Sequence, residues 1–285
     1  MHINAYILAA DPAWIEASIA SYYALVETIV VSYDAEAASW SSTPLPVEEC
    51  ISRLRRIDPE GKFRFHAGHF ARRECDPLEN DTRQRQDALD LAGKGADWVL
   101  QIDTDEVLAD PAAFTACLEE ADRRGFNGME YPARWLYRGL AEDRYLERCT
   151  HLWGAAANYP GPVAVRPGAR LHCARQCDAR LFRVDFRRRN TDPFHGGDAP
   201  VHRVVRPSQG IFHFSWIREE AELIRKTSAW GHSRENWSAA IAYWRWAGRH
   251  PRLAALTTPL RPYARRFRII TLPATLPRQS TNPIS

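Results

Sequence analysis

Val99-Leu-Gln-Ile-Asp-Thr-Asp-Glu-Val-Leu108 is an apolar run broken by two carboxylates that flank a single residue. A short, continuous apolar stretch is the mark of a buried strand. Trp98 to Ile102 is therefore predicted to be a strand, with Asp103 and Asp105 where the chain leaves the sheet. Placed there, two carboxylates can turn toward one point and share a hard divalent cation. Without a cation, carboxylates within about 4–6 Å repel and one is pushed up in pKa. The plainer reading, an Asp capping the next helix, is already met by Asp110 ahead of Pro111. Asp103 and Asp105 are thus the first candidates for metal ligands.

Upstream of this stretch the pattern alternates. Ile3 to Ala9 reads as a strand, Pro12 to Leu25 carries apolar residues at helical spacing, and Glu27 to Tyr33 is β-branched. Pro46 to Ile57 reads as a helix opened by proline, Lys62 to His66 as a strand, and Asp81 to Gly93 as a helix ended by glycine. Strands alternating with helices imply a largely parallel sheet with right-handed crossovers. Ligands in such sheets bind beyond the carboxyl ends of the strands, where Asp34, Asp103 and Asp105 all fall. Downstream, Asn127 to Arg134 is predicted to be a strand, and Tyr137 to Pro207 is rich in Arg, Gly, Pro and His with little periodicity. Order returns with strands at Asp178 to Val184 and Gly210 to Trp216, then helical spacing over Glu219 to Trp230 and Glu235 to Trp246. Thr257 to Ser285 carries five prolines and is expected to be extended or partly disordered.

The run Thr82-Arg-Gln-Arg-Gln-Asp-Ala-Leu-Asp-Leu-Ala92, followed by Gly95-Ala-Asp-Trp-Val-Leu-Gln-Ile-Asp-Thr-Asp-Glu106, resembles the helix and DXD strand of family 2 type glycosyltransferases with the GT-A fold. Ile7 to Ile15 and Ile29 to Asp34 resemble that family's first two strands. Ala179 to Arg183, His213-Phe-Ser-Trp216, Lys226 and His232 resemble its late segments, so the likeness spans roughly residues 3 to 233. The resemblance implies an α/β fold: a mixed, mainly parallel sheet with helices on both faces and a helical carboxyl-terminal extension. It implies transfer of a sugar from a nucleoside diphosphate sugar, with Mn²⁺ or Mg²⁺ on Asp103 and Asp105 and His213 as a third metal ligand. Asp34, Arg83, Thr104 and Lys226 fall where the family meets its donor, and Trp216 is a candidate to stack on the acceptor. The catalytic domain is expected over residues 1–235, with 1–110 taking nucleotide and metal and 127–235 shaping the acceptor site. Residues 236–285 are the basic, aromatic extension and its proline-rich tail.

Inverting transfer needs a base to take the acceptor's hydroxyl proton. Related enzymes carry a His-Glu pair ahead of the late strand, where this chain has His202-Arg203. Asp198, in His195-Gly-Gly-Asp198, is the substitute chosen here, with Asp192 its close competitor. The acceptor expected is a glycan or a lipid-linked glycan.

Composition bounds the partners. The 285 residues are 45% hydrophobic and 26% charged, ordinary for a soluble globular chain and enough for one α/β domain with an appendage. Six scattered cysteines read as reduced, and His172, Cys173 and Cys177 lack the second close pair that a zinc site needs. No basic leader precedes the first strand and no apolar run approaches the ~20 residues needed to span a bilayer, so the expected location is cytoplasmic. A net charge of +3 argues against nucleic acid. After Glu235 there is no acidic residue, yet there are eight arginines, interleaved with Trp237, Tyr243, Trp244, Trp246, Tyr263 and Phe267. That mixture suits peripheral contact with an anionic membrane, and it equally suits a helical cap with solvated arginines.

Two other readings stay open. Asp103-Thr-Asp-Glu-Val-Leu108 also fits the nucleophile motif of haloacid-dehalogenase-like phosphatases, although three strand-like segments precede it and no late Asp-Asp pair follows. A non-catalytic, membrane-surface binding protein working through its basic tail is the other.

Overall fold

The computed structural model describes residues 1–141, 143–229, 233, 235–274 and 276. His232, Trp230 and the end of the proline-rich tail, all read above, lie outside the described residues. The amino-terminal half alternates as expected through β1 (Ile3–Leu8), α1 (Ile15–Tyr22), β2 (Thr28–Asp34), α2 (Val47–Arg56), β3 (Phe63–Gly68), α3 (Pro77–Ala92) and β4 (Trp98–Leu100), and an unforeseen short strand, β5 (Glu106–Leu108), precedes α4 (Pro111–Arg123). Helix α3 starts four residues earlier than its apolar spacing suggested. Asp76 caps it by accepting from the Leu78 amide at 2.9 Å, and Pro77 fills the first turn. Asp110 caps α4 as foreseen, accepting from the Ala113 amide.

The strand expected from Asn127 to Arg134 is two strands in different sheets, β6 (Gly128–Glu130) and β7 (Ala133–Gly139). The stretch that lacked periodicity holds β8 (Arg144–Arg148), β9 (Ala164–Val165), β10 (Leu171–Cys173), β11 (Gln176–Cys177), β12 (Leu181–Asp185) and β13 (Arg203–Val204). These strands are two to five residues long, too short to establish a repeat. Then come β14 (Ile211–His213), α5 (Glu220–Ala229), α6 (Ser238–Arg249), α7 (Pro251–Leu256) and β15 (Phe267–Thr271).

The main sheet has eight strands in the order β13-β12-β6-β9-β4-β1-β2-β3, and β9 alone runs against its neighbours. This is the mixed, mainly parallel α/β sheet of a GT-A-like fold. Period-two alternation along β1 sends Ile3, Ala5 and Ile7 to one face with residues of α1, α2 and α4. Tyr6 and Leu8 go to the other face, against Ala88, Leu89 and Ala92 of α3. The two layers bury both faces, as a parallel sheet requires.

A second sheet runs β15-β8-β7-β14-β5. Strand β15 pairs antiparallel with β8 from Phe267 to Thr271, so the segment expected to be loose supplies an ordered edge strand. The tail's aromatics turn inward: Trp244 and Phe267 are buried with Tyr137, Leu146 and Trp216, and Trp237, Tyr243 and Trp246 pack against them. The extension's aromatics thus contribute to the core of the second sheet.

Candidate functional site

The main sheet ends in a cleft of about 840 Å³, entered over Leu8, Asp34 and Asp103 from the carboxyl ends of β1, β2 and β4. Between β4 and β5 the motif makes a tight turn. The Glu106 amide donates to the Asp103 carbonyl at 2.9 Å, and the Asp103 amide donates to Glu106 Oε2 at 3.0 Å. Glu106 is fully buried and held in a double contact by Arg175, Nη1 to Oε2 at 2.7 Å and Nη2 to Oε1 at 2.6 Å. Arg175 reaches it past Gly161, whose φ of +145° favours glycine and where a Cβ would stand 2.7 Å from the Arg175 Cγ.

Both motif carboxylates face cations. Arg85 of α3 donates to Asp103 Oδ1 at 2.7 Å, and Arg175 stands 3.7 Å from Oδ2. Burial pushes the Asp103 carboxyl up, but these two guanidiniums outweigh it and hold it below the usual carboxylate range. Asp105 has Lys226 Nζ at 2.6 Å and Arg218 Nη2 at 3.6 Å from Oδ2, and His213 Nε2 at 3.4 Å from Oδ1. Burial opposes its ionisation too, and Lys226, His213 and Arg218 overcome it, so Asp105 is held well below its ordinary value. Asp11, just after β1, shares the same cations, 2.6 Å from Arg218 and 3.4 Å from Lys226.

Of the residues expected to act, Asp103, Asp105, Thr104, His213 and Lys226 come together along this cleft. Asp34 also borders it, but its carboxylate accepts from four backbone amides, those of Phe70 (2.7 Å), Glu36 (3.0 Å), Ala71 (3.1 Å) and Ala38 (3.3 Å). Its oxygens are occupied in folding the loops after β2 and β3. Arg83 is bound to the Phe70 carbonyl and Asn80 and does not line the cleft; Arg85, half a turn on, does. Trp216 is 2% exposed, stacked on Tyr137 and away from the cleft, whereas Trp135 lines it. Asp198 is exposed and off the cleft. Its competitor Asp192 is 2% exposed, borders the cleft and lies 2.6 Å from His195 Nδ1, while His195 Nε2 stands 3.9 Å from the buried Glu130 carboxylate.

Arg85, Arg175, Arg218 and Asp11 were not foreseen. The first had a signal. Along α3 the buried positions 80, 81, 84, 85, 88, 89 and 92 form one stripe, and Asn80, Asp81, Gln84 and Arg85 put polar groups where Ala88, Leu89 and Ala92 continue it. Polar residues inside a buried stripe point to a partner across it. Arg175 and Arg218 follow irregular segments and carry no comparable mark.

The donor set suits a divalent ion in part. Asp105 and His213 converge from a loop and β14, a carboxylate and imidazole pair suited to Mn²⁺. Asp103 is directed at arginines, and among the described residues no three His, Cys, Asp or Glu side chains form a cage. Sites of this kind hold the ion through one or two carboxylates and leave the remaining positions to water and substrate phosphate. Burial lowers and Asp105 raises the His213 pKa, with a net rise, so a metal and a proton would compete for this imidazole.

No protein-family model matches the chain, and no curated protein matches it. Among solved structures it is similar to a mannosyltransferase from Pyrobaculum calidifontis in complex with GDP-Man and Mn²⁺, at 15% identity and TM-score 0.33 over 47% of this chain and 36% of that one. A 4-diphosphocytidyl-2C-methyl-D-erythritol synthase from Anaerococcus prevotii aligns at 13% identity and TM-score 0.35, over 58% of this chain and 70% of that one. A mannose-6-phosphate isomerase from Helicobacter pylori aligns at 10% identity and TM-score 0.29, over 50% and 53%. The chain thus spans about a third of the mannosyltransferase's length. The fold rests on its own strand order, and these likenesses add no argument to it.

Proposed function

We propose that the chain is a glycosyltransferase that takes a sugar from a nucleoside diphosphate sugar, with Mn²⁺ or Mg²⁺ assisting, and passes it to a glycan or lipid-linked acceptor. The observation that supports this is the pairing of Asp105 and His213 at the carboxyl end of the sheet, inside a cleft that also carries Arg85, Arg175, Arg218 and Lys226. Cations fixed around buried carboxylates suit a diphosphate, which gains negative charge as the glycosidic bond breaks. When bound, a divalent cation supplies Lewis acidity toward that leaving group. Asp105 and His213 would hold it, while Lys226 and Arg218 orient phosphate oxygens and Arg85 and Arg175 keep Asp103 ionised.

His195, oriented by Asp192, is the group suited to receive the acceptor's proton. Its Nδ1 faces the buried Asp192 carboxylate, which orients the ring, and its Nε2 stands 3.9 Å from Glu130 Oε1, so an acceptor hydroxyl would meet the imidazole beside a second carboxylate. The phosphatase reading asks Asp103 to attack phosphorus, and Asp103 is engaged by Arg85 and Arg175.

A titration of the purified protein with UDP, GDP, TDP and CMP, each with and without Mn²⁺, tests the proposal. Stabilisation by one nucleotide that needs metal and is lost in Asp105→Ala is the expected result, because a ligand of the folded state raises its apparent stability. A folded protein that answers no nucleotide under either condition would overturn it.

A further inference from the structure

Nine large apolar residues are exposed among the described residues, and five of them gather at one edge: Leu152 (71% exposed), Trp153 (41%), Leu253 (49%), Leu256 (73%) and Leu260 (87%). Trp153 Nε1 donates to the Ala255 carbonyl at 2.8 Å, which seats the 152–153 turn against α7. On α7, Leu253 and Leu256 are three residues apart and Arg252 and Leu256 four apart, so all three share one outward face.

Beside this face lies a cavity of about 430 Å³ lined by Arg138, Arg144, Arg249 and Arg252 with Gly248 and Pro251. Among the described residues no acidic side chain lines it. Arg138 lies 3.4 Å over the Trp244 ring, and burial holds its guanidinium below the ordinary value, only partly offset by Glu219 and Glu220. A half-buried guanidinium stacked on Trp244, with Arg249 and Arg252 beside it in the same cavity, suits an anionic group from outside.

We infer that this edge docks on an anionic phospholipid surface, with Leu253, Leu256 and Leu260 entering the acyl boundary and the arginine cavity receiving a headgroup phosphate. The proposal stands apart from the transferase reading and uses different residues. The shape and charge favour a bilayer over other occupants. The leucines project from a helix rather than line a groove, so they suit a soft apolar layer. A second copy of this chain would set four arginines against four.

The test is cosedimentation of the full chain with phosphatidylcholine vesicles and with vesicles containing phosphatidylglycerol, at low salt and at about 1 M salt, where screening is nearly complete. Binding to the anionic vesicles at least tenfold stronger than to the neutral ones, and weakened by salt, is expected. Leu256→Glu/Leu260→Glu and Arg249→Glu/Arg252→Glu should each reduce it at least tenfold while melting near the wild-type temperature. Lys94→Glu, in the turn after α3 and outside the lining of the arginine cavity, should leave it unchanged. No binding, equal binding to both vesicles, or binding indifferent to both double variants would overturn the inference. So would a dimer in sedimentation velocity that Leu256→Glu/Leu260→Glu disperses.

Discussion

The Lys226 ammonium stands 2.6 Å from Asp105 Oδ2 and ties α5 to the turn after β4. A divalent ion entering at Asp105 must compete with that charge. Lys226→Met is therefore expected to tighten binding of Mn²⁺ alone by about tenfold, roughly 1.4 kcal/mol, while weakening nucleoside diphosphate binding. Isothermal titration reads both quantities. Movement of both in the same direction would refute the competition.

Arg175 and Glu106 are a buried pair, and removing one partner strands the other. Arg175→Met should destabilise the fold by about 3–5 kcal/mol. Arg175→Met/Glu106→Met should cost distinctly less, because no charge is left alone. Urea unfolding of the two variants decides it, and a double variant as unstable as the single one would rule the account out.

Gly161 lets Arg175 through. Gly161→Ala should cost about 1–3 kcal/mol from overpacking, and this loss should shrink in an Arg175→Ala background, where the opposing Cγ is gone. Additive losses would place the strain in the backbone alone.

Asp34 should behave as a structural carboxylate. Burial raises its pKa, and the amides of Phe70, Ala71, Ala38 and Glu36 more than reverse this, so its folded value lies below its unfolded one. Its stabilising contribution is present above the unfolded value of about 3.9 and is lost as pH falls through the folded value. Asp34→Ala is expected to cost about 3 kcal/mol near neutral pH. The gap from wild type should close only below about pH 3.9. A gap independent of pH would show that the charge is not what the amides bind.

For the proton acceptor, Asp192→Asn and His195→Asn should each lower turnover by about 10²–10⁴-fold, with KM for the donor little changed. Asp198→Asn should be close to wild type. Loss of activity in Asp198→Asn alone would return the role to the exposed loop.

The parts of the molecule that repeat were legible in the sequence. The alternation from Ile3 to Ile102 marked the strands and helices up to β4, and one residue between two carboxylates after an apolar run marked where the chain leaves it; β5 was too short to stand out. Legibility failed where contacts are long-range. Whether Arg83 or Arg85 faces the cleft is a question of helical phase, which Arg85 answers by lying on the buried stripe with Asp81 and Ala88. Asp198 and Asp192 look alike as sequence and differ in burial. Trp244 and Phe267 read as interfacial because they alternate with arginine, yet β8 and β15 draw them inward.

Asp103 and Asp105 leave the ribosome early, and Lys226 follows 121 residues later. At about 5–20 residues per second that is an interval of roughly 6–24 s. Arg85 is already available then, but the partners of Asp105 are not, since His213, Arg218 and Lys226 all come from the late chain. During synthesis Asp105 stands without its cations after β4, while Asp103 already has Arg85. Electrostatic closure of the cleft therefore waits until α5 has been made and can bring its lysine onto the carboxylate.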